Sequence, residues 1–294
     1  MKVVTPKSVH GCYDVFHIDG TTYVLFPGNI TADVENAKET VCPHGHTRIY
    51  SVSSFEVTIN GDTVTPLTYD IPKCRFALST MEKDCSRFMF HWFNYHKQLG
   101  VDFFFIYDNN SSDEEFERVV DATKDIDGIL VRWNYPYHYG SCTQTGQQNH
   151  SIYISKNRID RIGLTDLDEY IVLYGSSNID SLLSERISYI WWVWFGEGNI
   201  ASLNPLDYRM CTGHNEGDWK HKMIVDPNYV DMVAIHGVVL PTRPNVRFKY
   251  LDYAMLHHYR GLNNEVRGCP SPHSDCKFCR KENLEMHKRY FLGE

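Results

Sequence analysis

The sequence predicts an α/β protein, a mostly parallel sheet flanked by helices, with a small β-rich subdomain in front. Three observations carry that prediction. From residue 75 onward, short apolar runs alternate with amphipathic helical segments, the pattern of a sheet covered on both faces. Residues 101–107 are apolar except for Asp102, which suits a strand with no wet face. Ahead of these, two alternating stretches surround Asp19-Gly20 and Asn60-Gly61, dipeptides that accept the positive φ of tight hairpin turns.

The elements follow in order. Residues 16–24 and 55–64 are the two hairpins, and residues 1–70 form the β-rich subdomain or an extension of the main sheet. Residues 71–265 form the α/β domain, opening with a strand at 76–80. A helix follows over 86–99, where Phe88 and Trp92, and Met89 and Phe93, pair at i,i+4 and Gly100 supplies the stop. The strand at 101–107 then runs to Asp108. Ser112 can cap the next helix, with Asp113, Glu114 and Glu115 at the positive end of its dipole. A strand at 128–133, a helix at 143–157 and a short strand at 162–165 lead into Asp166-Leu167-Asp168-Glu169. Residues 266–294 hold a cysteine-rich segment and a last helix over 281–291.

With 294 residues, 42% hydrophobic and 14% aromatic, the chain can bury a real core, which argues against disorder. A net charge of -8 argues against a surface that coats nucleic acid, because that needs clustered Lys and Arg. The first residues hold no apolar run of signal-peptide length, and no later stretch approaches the roughly 20 apolar residues of a membrane span. The expectation is a soluble, cytoplasmic protein, or a lumenal one if an anchor has been removed. Nine cysteines are an odd set and no small-domain disulfide framework. Sequons at Asn109, Asn110 and Asn149 fall near the expected active centre, where a glycan would obstruct it, which favours the cytosol.

In an open α/β sheet, ligands gather at the carboxyl ends of the parallel strands. Asp108 and the cluster from Asp166 both stand at such ends. Asp108 can accept hydrogen bonds from a ribose or a base; alternatively, Asp108 and Ser111 cap the following helix. In extended chain, Asp166 and Asp168 project to one side while Leu167 points to the core. Two hard oxygen ligands suit Mg²⁺ or Mn²⁺, which is commonly held by one or two carboxylates plus substrate phosphates. The competing interpretation of a lone Asp-x-Asp is a solvated turn.

Several blocks in order resemble one family. MEKDCSRFMFHWFNYHKQLGVDFFFIYDNNSSD at 81–113, DLDEYIVL at 166–173, WFGEGN at 194–199, HKMIVDPNYVDMVAIHG at 221–237 and LHHYR at 256–260 are similar to the GT-A glycosyltransferases of family 92, formerly domain of unknown function 23. The likeness spans residues 75–260. It implies a Rossmann-like GT-A domain that binds a nucleotide diphospho-sugar through a metal on its diphosphate. Carried over, Asp168 is the main metal ligand, Asp166 serves ribose or metal, and Glu169 supports them. Asp108 contacts the nucleoside, with Thr80, Glu82 and Asn109 completing the donor-binding set. His258, in the His-Tyr pair, is the candidate third metal or diphosphate contact, with His257 and His236 as rivals. A neutral imidazole there favours Mn²⁺ over Mg²⁺. Galactose is one donor that the resemblance implies.

Sugar transfer also needs a base for the acceptor hydroxyl; Glu197 is the first choice and Asp218 the second. Trp191, Trp192 and Trp194 could stack on a sugar ring or belong to the core. Cys269, His273, Cys276 and Cys279 could form a structural Zn²⁺ site, a disulfide or free thiols. The expected activity is metal-dependent transfer, with inversion, to a hydroxyl of a glycan or glycoprotein. Its rivals are a carbohydrate-binding protein on the same fold and a metal-dependent phosphoesterase.

Overall fold

The computed structural model describes residues 1–137, 142–174, 178–195, 211–212 and 221–259. The first part of the chain forms β1 (Lys2–Val4), β2 (Asp14–Ile18), β3 (Thr21–Pro27), β4 (Lys38–Val41), β5 (Thr47–Val52), β6 (Val57–Ile59), β7 (Asp62–Val64) and β8 (Leu67–Thr68). There follow β9 (Cys74–Glu82), α1 (Ser86–Leu99), β10 (Phe103–Asp108), α2 (Asp113–Thr123), β11 (Gly128–Arg132), α3 (Thr143–Ser155), β12 (Ile159–Leu164) and β13 (Glu169–Leu173). The last elements are α4 (Ile179–Leu182), β14 (Ile187–Phe195), β15 (Cys211–Thr212), β16 (His221–Val225), β17 (Val230–Ala234), β18 (Gly237–Pro241) and β19 (Phe248–Tyr259).

The centre is a ten-stranded sheet in the order β1-β11-β10-β9-β12-β16-β14-β19-β13, with β15 on β14. From β1 to β12 every pairing is parallel. Beyond β12 the pairings are antiparallel apart from β14 with β19, so the sheet is parallel in one half and mixed in the other. Glu169 N–H donates to Asp166 O at 3.1 Å, a turn that redirects the chain after β12 and sends β13 to the far edge.

The apolar run of β10 is buried along its whole length because both faces of the sheet are covered. On one face, Trp92 and Phe93 of α1 pack edge-on against Phe104. Gly100 ends that helix at φ 107°, its N–H returning to His96 O and Lys97 O. Ser112 caps α2 by accepting from Glu115 N–H. On the other face lies α3, all of whose residues except Gln144 are buried despite its polar sequence.

What covers α3 is the five-stranded sheet β4-β5-β3-β2-β8, whose Phe16, Leu25 and Ile49, with Tyr13 just before β2, share a core with Trp133 and Ile152. The opposite side of this small sheet is closed by Val57, Ile59 and Val64 of the β6–β7 hairpin. Both hairpin turns carry the positive φ that their sequences predict, 47° and 81° at Asp19 and Gly20, 51° and 87° at Asn60 and Gly61. β1 lies apart from this layer and forms the edge of the central sheet beside β11. Among the described residues, no helix is long and apolar enough to cross a membrane.

Candidate active site

β9, β10 and β12 end along one edge of the sheet, and the acidic turn follows β12. Helix α1 fixes the start of β13. Trp92 Nε1–H donates to Glu169 O at 3.0 Å and Tyr95 O–H to Ile171 O at 2.8 Å. Leu167 is buried in the core beneath. The segment from Asp166 to Glu169 is a turn and not the extended chain that the alternation predicts. Asp166 and Asp168 therefore meet different partners.

Asp166 Oδ1 accepts from Gln144 Nε2 and its Oδ2 from Lys222 Nζ, each at 2.8 Å. Burial opposes ionisation of Asp166, but Lys222 outweighs it and holds the carboxyl below its ordinary range. Asp168 is 5% exposed, and its Oδ2 lies 3.2 Å from His258 Nε2. Glu169 Oε2 accepts from Asp166 N–H at 2.8 Å, while Oε1 stands 3.7 Å from His258 Nδ1. Burial above all, with Asp166 and Asp168 adding, raises Glu169 to about 8 despite Lys222.

Register decides among the histidines. Glu169 and His258 are directly opposed across β13 and β19, which turns His258 to the acidic cluster. His257 points away, its Nε2 2.5 Å from Tyr174 O–H. Trp192 meets His258 edge-on at 4.9 Å and His236 at 5.3 Å, so it lines the site, and His236 lies within reach of the charges of Lys222 and Asp166. Trp191 takes the other face of the sheet and stacks on Tyr250 at 4.6 Å.

At the ends of β9 and β10, Glu82 and Asp108 are neighbours in register and both are buried. Arg132 Nε lies 4.0 Å from Asp108 Oδ2. With both carboxyls ionised, neither Asp108 oxygen nor Glu82 Oε1 has a hydrogen-bond partner among the described residues, and Thr80 Oγ1 has none. A proton on Glu82 lets the two carboxyls share a hydrogen bond. Asp108 does not cap α2: Ser112 does, and Ser111 Oγ accepts instead from Asp84 N–H at 2.9 Å. Asn109 is committed to the loop, its Nδ2 donating to Trp133 O at 2.9 Å and Tyr135 O at 2.8 Å. Asn149 is fully buried and holds Val233 through both ends of its amide, so this sequon has no room for a glycan.

Burial, then Asp108, pushes Glu82 from its ordinary 4.5 up to about 9. Between those values the folded protein holds a proton that the unfolded chain releases, so stability falls as pH rises. Glu82→Gln is expected to melt a few degrees above wild type at pH 8 and near it at pH 5. Parallel melting curves across that range would show that Glu82 carries no such proton.

Glu197, Asp218, the group Cys269, His273, Cys276 and Cys279, and the helix over 281–291 lie outside the described residues. Two residues that sequence reasoning missed are Lys222 and Gln144. A lysine set among the apolar residues of a strand, in His221-Lys222-Met223-Ile224-Val225, is a signal for the first; Gln144 had none.

The model of glycosyltransferase family 92 matches residues 76–290. A family 92 protein of Ricinus communis is 26% identical over 206 residues, 63% of this chain and 35% of that protein. One of Oryza sativa subsp. japonica is 28% identical over 196 residues, 63% of this chain and 33% of that protein. The chain thus spans about a third of the length of the curated relatives it matches. Among solved structures, glucosyl-3-phosphoglycerate synthase from Mycobacterium tuberculosis, in complex with Mn²⁺, uridine-diphosphate-glucose and phosphoglyceric acid, is similar with a TM-score of 0.37 and 9% identity. That likeness covers 74% of this chain and 80% of the synthase. HddC from Yersinia pseudotuberculosis is similar with a TM-score of 0.36 and 10% identity, over 72% of this chain and 99% of that one.

Proposed function

The chain belongs to glycosyltransferase family 92, and we propose that it moves a sugar from a nucleotide diphospho-sugar to a glycan hydroxyl, with the acidic turn at the donor's diphosphate. The observation that carries this is the contact of Asp168, in the turn before β13, with His258, which the register of β13 and β19 sets opposite Glu169, beside the carboxyl ends of parallel strands.

Among the described residues, no three His, Cys, Asp or Glu side chains form a group able to enclose an ion. A carboxylate and an imidazole side by side nonetheless fit Mn²⁺, and less closely Mg²⁺, provided diphosphate oxygens and water complete its shell. Asp168 and His258 would hold that ion. When bound, it serves as a Lewis acid on the departing diphosphate.

The remaining work belongs to the chain. Asp108, Thr80 and Glu82 receive the nucleoside, since their buried oxygens have hydrogen-bonding capacity that the described residues leave unused. Asp166, whose two oxygens accept from Gln144 and Lys222, supports the diphosphate site from the protein side. Glu197, or failing it Asp218, takes the proton of the acceptor hydroxyl as it attacks the anomeric carbon with inversion.

A thermal-shift panel of nucleotide sugars, with and without Mn²⁺, tests the donor. One of them should raise the melting temperature only with Mn²⁺ present, because a ligand of the native state stabilises it. That donor should then release an intact nucleoside diphosphate as the sugar is transferred. A shift with no turnover at high protein concentration would indicate a carbohydrate-binding protein. Phosphate release from simple esters would indicate a phosphoesterase.

A further inference from the structure

The acidic turn carries its own cation. Lys222, on β16, is 1% exposed and lies with its Nζ 2.8 Å from Asp166 Oδ2. Asp166 Oδ1 is taken by Gln144 Nε2 at the same distance. The ammonium is thus paired directly with a carboxylate, the partner that a cation taken out of water needs. The ring of Trp192, 5.6 Å from Nζ, closes one side. An ion bound directly to Asp166 would have to displace the ammonium or the amide. It would also set a double positive charge against a buried single one, where little water screens them.

We propose that Lys222 is the fixed cation of the diphosphate site and that Asp166 serves it as counter-ion, leaving any metal to Asp168 and His258. The inference rests on the donor site proposed above and goes beyond it. Lys222 becomes a binding residue whose positive charge stays at the diphosphate even when no ion is bound. The first carboxylate of the motif then acts through Lys222, and only the second acts through the metal.

The test is calorimetric titration of UDP, GDP and inorganic pyrophosphate, in EDTA and in Mn²⁺. Wild type should bind a nucleoside diphosphate measurably in EDTA and more tightly in Mn²⁺. Lys222→Met should weaken it about tenfold or more in both conditions, the scale of one lost charge-assisted contact. Lys222→Arg, which keeps the charge, should recover most of that loss. Asp168→Asn should lose only the gain that Mn²⁺ confers. Because Lys222→Met strands a carboxylate and could unfold the site, the double variant Asp166→Asn with Lys222→Met removes both charges and should show the same tenfold loss. Diphosphate binding in EDTA within twofold of wild type for the double variant would overturn the proposal. So would a loss of Mn²⁺ affinity, read by electron paramagnetic resonance, as large in Asp166→Asn as in Asp168→Asn. Wild-type protein that binds none of the three probes would instead overturn the donor site itself, and this inference with it.

Discussion

Asp168→Ala is expected to lower sugar transfer by at least about a thousandfold, or roughly 4 kcal/mol of transition-state stabilisation. The variant removes the carboxylate that faces His258 at 3.2 Å, and with it the oxygen donor of the proposed two-residue metal set. It should also erase the effect of Mn²⁺ on donor affinity. The backbone of the turn is held independently, through Trp92 on Glu169 O and through Leu167 in the core, so the variant should still fold, its melting temperature lowered only by the lost contact with His258. Glu197→Gln makes the informative contrast. That variant should keep Mn²⁺-dependent donor binding and lose transfer, because a base acts on the acceptor and not on the diphosphate. If transfer survives it, Asp218 becomes the base. Wild-type turnover in folded Asp168→Ala protein would remove the metal from the mechanism.

Much of the fold is legible because it rests on short-range rules. Asp19-Gly20 and Asn60-Gly61 declare their turns through the backbone conformation they tolerate, and Gly100 and Ser112 mark helix ends through the groups they cap or release. The uniformly apolar β10 declares a doubly covered sheet. The site is less legible, because it depends on register between distant strands. Alternation along β19 says that His257 and His258 face opposite ways, but only the pairing of Glu169 with His258 says which of them meets the acidic turn. The same alternation misleads at Asp166 and Asp168, where the chain turns and the two carboxylates part company. Lys222 and Gln144 reach Asp166 across 56 and 22 residues of sequence, and no local pattern encodes that meeting. The polar sequence of α3 suggests a solvated face, yet the small sheet covers it, a tertiary effect outside the helix's own periodicity.

That cover depends on one buried network, and its removal should produce a large loss of stability. Asp14 is fully buried on β2 and accepts four hydrogen bonds: Lys7 N–H at 2.7 Å, Val15 N–H at 2.8 Å, Tyr69 O–H at 2.6 Å and His150 Nε2 at 2.9 Å. His150, on α3, is held in turn by Tyr107 of β10, whose hydroxyl lies 2.7 Å from Nδ1. The chain of contacts therefore joins the small sheet, the helix beneath it and the strand that ends in Asp108. Asp14→Ala leaves several donors in a dry interior without an acceptor, at a cost of about 3–5 kcal/mol. For a chain of this size that is a fall of roughly 10 °C in melting temperature. Asp14→Asn should cost less. Its Oδ1 can still accept both backbone N–H groups, and its amide can donate to His150 or Tyr69 once the ring exchanges tautomer and the hydroxyls rotate. Differential scanning calorimetry of the two variants gives the comparison. An Asp14→Ala protein that melts within about 2 °C of wild type, well short of the expected fall, would mean that this network does not fasten the small sheet to α3.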